Sequence, residues 1–136
     1  MQHTIKADEL INGAKAAMKA AYAPYSHFYV GAAVLAEDGK IYTGCNIENS
    51  SYGATNCAER TAIFKAVSEG CRKIHAIAIC GGYEGVIEAV ASPCGICRQV
   101  MSEFGQNDMP VFLIHKDGFD EYTLGELLPC SFTLEN

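Results

Sequence analysis

The chain has 136 residues, a length that suits a single domain over 1–136, with 49% apolar residues and a formal net charge of −6. That acidity argues against non-specific binding to nucleic acid or to an anionic membrane surface, and no apolar run approaches the roughly 18 residues of a membrane-spanning helix. Met1–Lys6 has neither the basic nor the apolar region of a secretion signal, and seven cysteines is an odd count for so short a chain; both features point to a reducing cytoplasm rather than a disulfide framework.

From Ala7 to Tyr22, Leu10, Ile11, Ala14, Ala17, Met18, Ala21 and Tyr22 recur at helical spacing, with Lys15 and Lys19 on the other face. Ala23-Pro24 stops this helix. Phe28–Ala36 and Ile41–Cys45 read as strands, joined through Asp38-Gly39, a strong hairpin signal. Asn46–Asn56 is a polar loop. A helix is expected over Cys57–Glu69, with Gly70 just past its end. Ile74–Cys80 is a near-continuous apolar run, fit for a strand buried on both faces. A connector over Gly81–Ala91 leads to Ser92-Pro93, which opens a helix from Cys94 to about Phe104. Val111–Ile114 is a further strand, and Thr123-x-x-Glu126 is a capping box for a short last helix stopped by Pro129. The order predicts an α/β domain with helices on both faces of a mixed sheet.

The chemistry concentrates in Cys57-Ala58-Glu59 and Pro93-Cys94-Gly95-Ile96-Cys97. Three thiolates fill three corners of a zinc tetrahedron and leave the fourth open, as a catalytic metal requires. Both clusters fall where a loop becomes a helix, so the helix N-termini favour the thiolate form. Cys94 and Cys97 are three apart and share a helix face. Glu59 is placed to move protons at the open position. Arg60, three residues after Cys57, is placed to hydrogen-bond the thiolates and offset the excess negative charge of a three-thiolate zinc.

Three other readings use the same residues. Cys94-Gly95-Ile96-Cys97 also looks like a dithiol redox motif, which leaves Cys57 and Glu59 without a role. A closed structural zinc needs a fourth ligand from Cys45, Cys71 or a histidine, and none lies in a second ligand pair. Glu59 could instead cap Asn56 at the helix start. Cys45, Cys71, Cys80 and Cys130 read as small buried hydrophobes with free thiols, and His27, His75 and His115 as surface or core histidines.

The spacing is similar to the zinc nucleobase deaminase signature H-x-E…P-C-x-x-C with Cys in place of His. A longer ordered set, Tyr22-Ala-Pro-Tyr-Ser26, Phe28, Val30-Gly-Ala-Ala33, Gly44-Cys-Asn-Ile-Glu-Asn49, Cys57-Ala-Glu-Arg60, Pro93-Cys-Gly-Ile-Cys-Arg-Gln99 and Glu126-Leu-Leu-Pro129 followed by Phe132, resembles the short-chain cytidine deaminase family over about residues 8–132. The resemblance implies a single-domain, three-layer α/β/α fold with a mixed five-stranded sheet. It implies one zinc ion on Cys57, Cys94 and Cys97, Glu59 as proton shuttle, and conversion of cytidine or 2′-deoxycytidine to the uridine product with release of ammonia in pyrimidine salvage. It further implies that Asn46 and Glu48 bind the ribose 3′-hydroxyl, that Phe28 packs on the pyrimidine, and that the Ala58 N–H reads the ring. A homotetramer is implied, with Phe132 reaching a neighbouring subunit's site. Asn46 and Glu48, two apart after a strand, are expected to share one side. Ile96 departs from the small residue more familiar between the metal cysteines, and its side chain is expected to turn into the core. A deaminase of cytosine-bearing nucleoside antibiotics, similar to blasticidin-S deaminase, is the alternative within the superfamily; deaminases of polynucleotides need a positive groove that this acidic chain lacks.

Overall fold

The computed structural model describes residues 6–134. Helix α1 (Ala7–Met18) leads into the hairpin of β1 (Phe28–Ala36) and β2 (Ile41–Cys45). A short 3₁₀ turn (Tyr52–Ala54) precedes α2 (Ala58–Ser68), followed by β3 (Ile74–Tyr83), α3 (Gly95–Phe104), β4 (Pro110–His115), β5 (Gly118–Thr123) and α4 (Leu124–Leu127). The strands form one sheet in the order β2-β1-β3-β4-β5. The β3–β4 pair is parallel and the other pairs are antiparallel, so the sheet is mixed.

Strand alternation builds two cores at once. On one face Ala33, Leu35, Ala76, Ala78, Cys80, Phe112 and Ile114 pack against Leu10, Ala14 and Met18 of α1. On the other, Ala32, Val34, Ala36, Ile77, Ile79, Val111 and Leu113 pack against Ala62, Ile63 and Ala66 of α2, Cys97 and Met101 of α3, and Leu124 of α4. β1 and β3 are therefore buried on both sides, which is why both read as nearly continuous apolar runs. Burial of each such Ile or Leu side chain contributes about 1.5–3 kcal/mol.

Two expected boundaries move and one strand was unforeseen. β3 runs past Cys80 to Tyr83, because Gly81, Gly82 and Tyr83, expected in the connector, pair with Val30, Tyr29 and Phe28 of β1. α1 ends at Met18 rather than Tyr22, because the chain tightens: Ala20 and Ala21 N–H donate three residues back, and the Tyr22 N–H donates to the Asn46 carbonyl instead. Tyr22 thereby forms a bridge with Ile47, which in turn bridges Asn56. β5 is absent from the periodicity reading, since all but its last residue are exposed. It is an edge strand, with no buried face to impose an apolar pattern. Its signal was Asp117-Gly118, a turn pair like Asp38-Gly39, and Gly118 indeed pairs with His115 to close the hairpin. The capping box at α4 forms as expected, with Thr123 and Glu126 each bonded to the other's backbone N–H.

α2 is held unusually close to β2. A Cβ on Gly44 would lie 2.5 Å from the Ala62 nitrogen and 2.8 Å from the Ala58 carbonyl oxygen. Both are backbone atoms that cannot swing aside, so the glycine sets how near the start of α2 sits to the sheet. Gly44→Ala is expected to lower stability by about 1–3 kcal/mol through overpacking, read as a fall of several degrees in Tm. Gly53→Ala, with nothing within 4 Å of the added Cβ, is the control and leaves Tm within about a degree of the parent. Equal Tm for all three proteins would contradict the close-approach account.

Candidate metal centre

Helix α2 follows β2 and α3 follows β3, so both helices begin at the carboxyl ends of strands, where open α/β sheets leave a crevice for ligands. Cys57 is the N-cap of α2 and Cys94 the N-cap of α3, both with extended backbone. Cys97, one turn into α3, is buried. Its N–H donates to the Cys94 sulfur at 3.4 Å.

The three sulfurs lie within 4.8 Å of one another, and they are the one group of this kind among the described residues. Cys57 and Cys94 sulfurs are 3.9 Å apart. A tetrahedral zinc with Zn–S bonds of about 2.3 Å spaces its sulfurs at about 3.8 Å, so the donor set fits the ion in type and spacing. Cys45 and Cys71 stand outside the group, so among the described residues no fourth cysteine or histidine closes the site.

Charge is balanced locally. The Cys57 thiol is pulled down to about 5, first by the hydrogen bond from the Cys97 thiol and then by the Arg60 guanidinium, against the opposing effect of burial. Cys97 is pushed well above its ordinary range, because it serves as the donor to Cys57. Without a metal a proton thus stays on Cys97 towards Cys57, and a bound dication would displace it. Arg60 Nη2 donates to the Cys57 sulfur at 3.3 Å. Its Nε is buried without a hydrogen-bond partner, so the guanidinium is committed to the sulfur side at the expense of a lost bond.

Glu59 is only 4% exposed, the one charged residue that is buried among the described residues. Burial pushes its carboxyl up to about 7; its own N–H and Arg60 oppose the shift, and the charge on Cys57 adds to it. Asn56 does not cap α2, since Cys57 occupies that position; the Asn56 amide instead donates to Thr61 Oγ1 at 3.1 Å. Glu59 is therefore the second helical residue and is not used as a capping partner. It lines a cleft of about 380 Å³ together with Cys57, Cys94, Ala58, Phe28 and Asn46.

Phe28 meets Tyr83 edge to face, with ring centroids 5.0 Å apart. Asn46 bridges to the first strand: its Oδ1 accepts from the Val30 N–H at 2.9 Å and its Nδ2 donates to the Phe28 carbonyl at 2.8 Å. Glu48 faces the turn at Tyr25 and Ser26. Its carboxylate accepts from the Tyr25 and Ser26 N–H groups and the Ser26 hydroxyl, and it lines a second cleft with Tyr25, Ser26 and Tyr52. Thr55 borders both clefts, so the spaces lined by Asn46 and Glu48 adjoin. Ile47, between them, forms bridges with Tyr22 and Asn56. The Ser26 hydroxyl bond, first among several, lowers the Glu48 carboxyl.

The family model described as "Cytidine and deoxycytidylate deaminase zinc-binding region" matches residues 4–113. The chain belongs to this deaminase family. It is 54% identical over 130 residues to a cytidine deaminase of Sporosarcina psychrophila, a match covering 95% of this chain and 93% of that one. It is 51% identical over 128 residues to a cytidine deaminase of Halalkalibacterium halodurans, covering 93% and 94%. A crystal structure of cytidine deaminase from Burkholderia pseudomallei superimposes with a TM-score of 0.84 at 46% identity, covering 97% of this chain and 100% of that chain. Family and donor geometry together assign the three cysteines to one zinc ion per chain.

Within this deaminase fold, several expectations are corrected. Ile96 does not turn into the core; it is 63% exposed. The buried stripe of α3 runs through Cys97 and Met101, and Ile96, one residue earlier, points about 100° away from it. Cys71 and Cys80 are buried, but Cys45 is only half-buried and Cys130 is exposed, in the loop after α4 with a φ of 57°. His27 pairs with Glu84 and His115 with Asp120. Sequence reasoning missed the far wall of the cleft, made by Val90, Ala91 and Ser92. That stretch has no regular secondary structure and carried no periodic signal.

Proposed function

We propose that this chain catalyses the zinc-dependent hydrolytic deamination of cytidine and 2′-deoxycytidine, giving the uridine products and ammonia. One observation carries the reading: a buried carboxyl, Glu59, lines the same cleft as Cys57 and Cys94 of the three-sulfur centre without being a ligand itself. The cytidine deaminases to which the chain is 51–54% identical support it.

Zinc held by Cys57, Cys94 and Cys97 would supply the Lewis acidity that lowers the pKa of a water molecule toward neutrality. Glu59 takes a proton from the attacking water as the water oxygen adds to C4 of the pyrimidine. It passes that proton to N3, then takes the remaining proton from the new C4 hydroxyl, which becomes the C4 carbonyl, and delivers it to the C4 amine as the C4–N bond breaks and ammonia leaves. Burial suits this work, because a carboxyl raised towards neutral pH both accepts and returns protons. Arg60 keeps a positive charge against the thiolates. The first N–H groups of α2, from Ala58 onward, have no helical carbonyl ahead of them, and Ala58 lines the cleft; its N–H reads the ring. Phe28, braced by Tyr83, packs on the pyrimidine.

Asn46 and Glu48 hold the ribose 3′-hydroxyl where the two clefts meet. Glu48 has about four acceptor positions and fills three. Asn46 keeps one N–H beyond its bond to Phe28. The pair therefore has capacity left for one hydroxyl. Phe132 is 69% exposed, with its carbonyl held by Gln99 at 3.0 Å; it covers the site of a neighbouring subunit in a homotetramer. No helix among the described residues is long and apolar enough to cross a membrane; a free nucleoside as substrate places the enzyme in pyrimidine salvage in the cytoplasm.

Glu59→Gln keeps its zinc and loses about 10²–10⁴-fold in kcat. Zinc content and initial rates measured on one preparation check this, and near-normal turnover would remove Glu59 from the mechanism.

For the ribose contact, 3′-deoxycytidine is expected to be a poorer substrate than cytidine by about 5- to 150-fold in kcat/KM, the equivalent of about 1–3 kcal/mol for polar groups left unpaired. Glu48→Gln narrows that gap. A wild-type enzyme that treats the two nucleosides alike would contradict the ribose contact and favour the antibiotic-deaminase alternative.

A further inference from the structure

Arg98 follows the last metal cysteine directly, yet it takes no part in the chemistry above. Its guanidinium reaches three acceptors in three directions. Nε donates to the Pro93 carbonyl at 2.8 Å, Nη2 to the Ser92 hydroxyl at 2.8 Å, and Nη1 to the Leu127 carbonyl at 2.7 Å. The backbone adds a fourth tie, from the Arg98 N–H to the Cys94 carbonyl at 3.0 Å.

These partners matter because of where they sit. Ser92 and Pro93 end the stretch between β3 and α3, whose residues lack regular structure from Glu84 to Cys94. This stretch forms the far wall of the cleft and delivers Cys94, whose own position is the first outside α3. A ligand held by a loop is less well fixed than one held within a helix, and Cys94 is the exposed one of the three. Leu127 is the last residue of α4, whose terminal carbonyls lack helical donors. Arg98 thus uses the end of α4 as a fixed post from which to hold the Ser92–Pro93 turn.

We propose that Arg98 is a positioning residue for the zinc centre: its planar fork sets the placement of Cys94 and of the Ser92 wall. The role rests on the zinc-deaminase reading but adds to it, since Arg98 touches neither sulfur nor substrate. It calls for arginine in particular. Three acceptors spread around one plane match a guanidinium, whereas an ammonium is a point charge on a flexible stem.

The test compares Arg98→Lys and Arg98→Gln with the parent. Zinc affinity is measured by chelator competition, and the absorption bands of the cobalt-loaded proteins report ligand geometry. Both variants are expected to bind zinc about 10–100-fold more weakly, the usual loss when a group supporting a metal ligand is removed, with altered cobalt bands. Lysine gives no rescue. If either variant fails to fold, Ser92→Ala, which removes a single acceptor, decides the matter through a smaller loss in the same direction. Lower Tm with unchanged zinc affinity and cobalt bands would make Arg98 a tie between helices only and overturn the proposal, as would a lysine variant equal to the parent or a Ser92→Ala protein with parental affinity. A parent protein that binds no zinc would instead overturn the deaminase reading itself.

Discussion

The structure depends on bringing two helix N-termini to one point with a cysteine at each cap. Cys57 and Cys94 take the extended backbone of an N-cap, so each sulfur stands beside unpaired N–H groups and the positive end of a helix. Three sulfurs within 4.8 Å would repel one another strongly if all were ionised, and neither the helix ends nor the Arg60 guanidinium would neutralise them fully. A dication completes the balance, and its binding energy adds to folding. Glu59 can stay buried beside this charge because the cluster with its metal and Arg60 is close to neutral.

Close packing is the condition for that convergence. The sheet presents small side chains to both helix layers, Ala32 and Ala33 from β1, Ala76 and Ala78 from β3. Gly31 lets α1 come so near that an added Cβ would lie 2.0 Å from the Ala14 carbonyl oxygen, and Gly44 does the same for α2. Shifting α2 outward by even a methyl radius would move Cys57 and Glu59 relative to the two cysteines of α3. The core is therefore tied to function through distance, since a metal centre tolerates only small changes in ligand spacing.

Much of this was legible in the sequence, for identifiable reasons. The buried strands and the helices announced themselves because burial on a fixed face imposes a period. The metal cysteines stood out because three thiols next to a carboxylate have few other uses in one short chain. What escaped was structure without a period. β5 is an exposed edge strand, and the Val90–Ser92 wall is held by hydrogen bonds and packing rather than by pattern. Ile96 was misplaced because its neighbours carry the buried stripe of α3. The Glu48 partners at Tyr25 and Ser26 escaped as well, because they lie 23 and 22 residues away and no local rule joins them. Arg98 was visible as a letter in the motif, but its three acceptors lie 5, 6 and 29 residues away and no local rule joins them.

The central claim is that one zinc ion on Cys57, Cys94 and Cys97 makes this fold a cytidine deaminase. It is tested most directly by titrating the metal-free chain with zinc while following ammonia release from cytidine. The account predicts a rate that rises in proportion to zinc and breaks at one ion per chain, the capacity of the three-sulfur group. Full ammonia release by the metal-free chain, or none with one zinc bound, would contradict it.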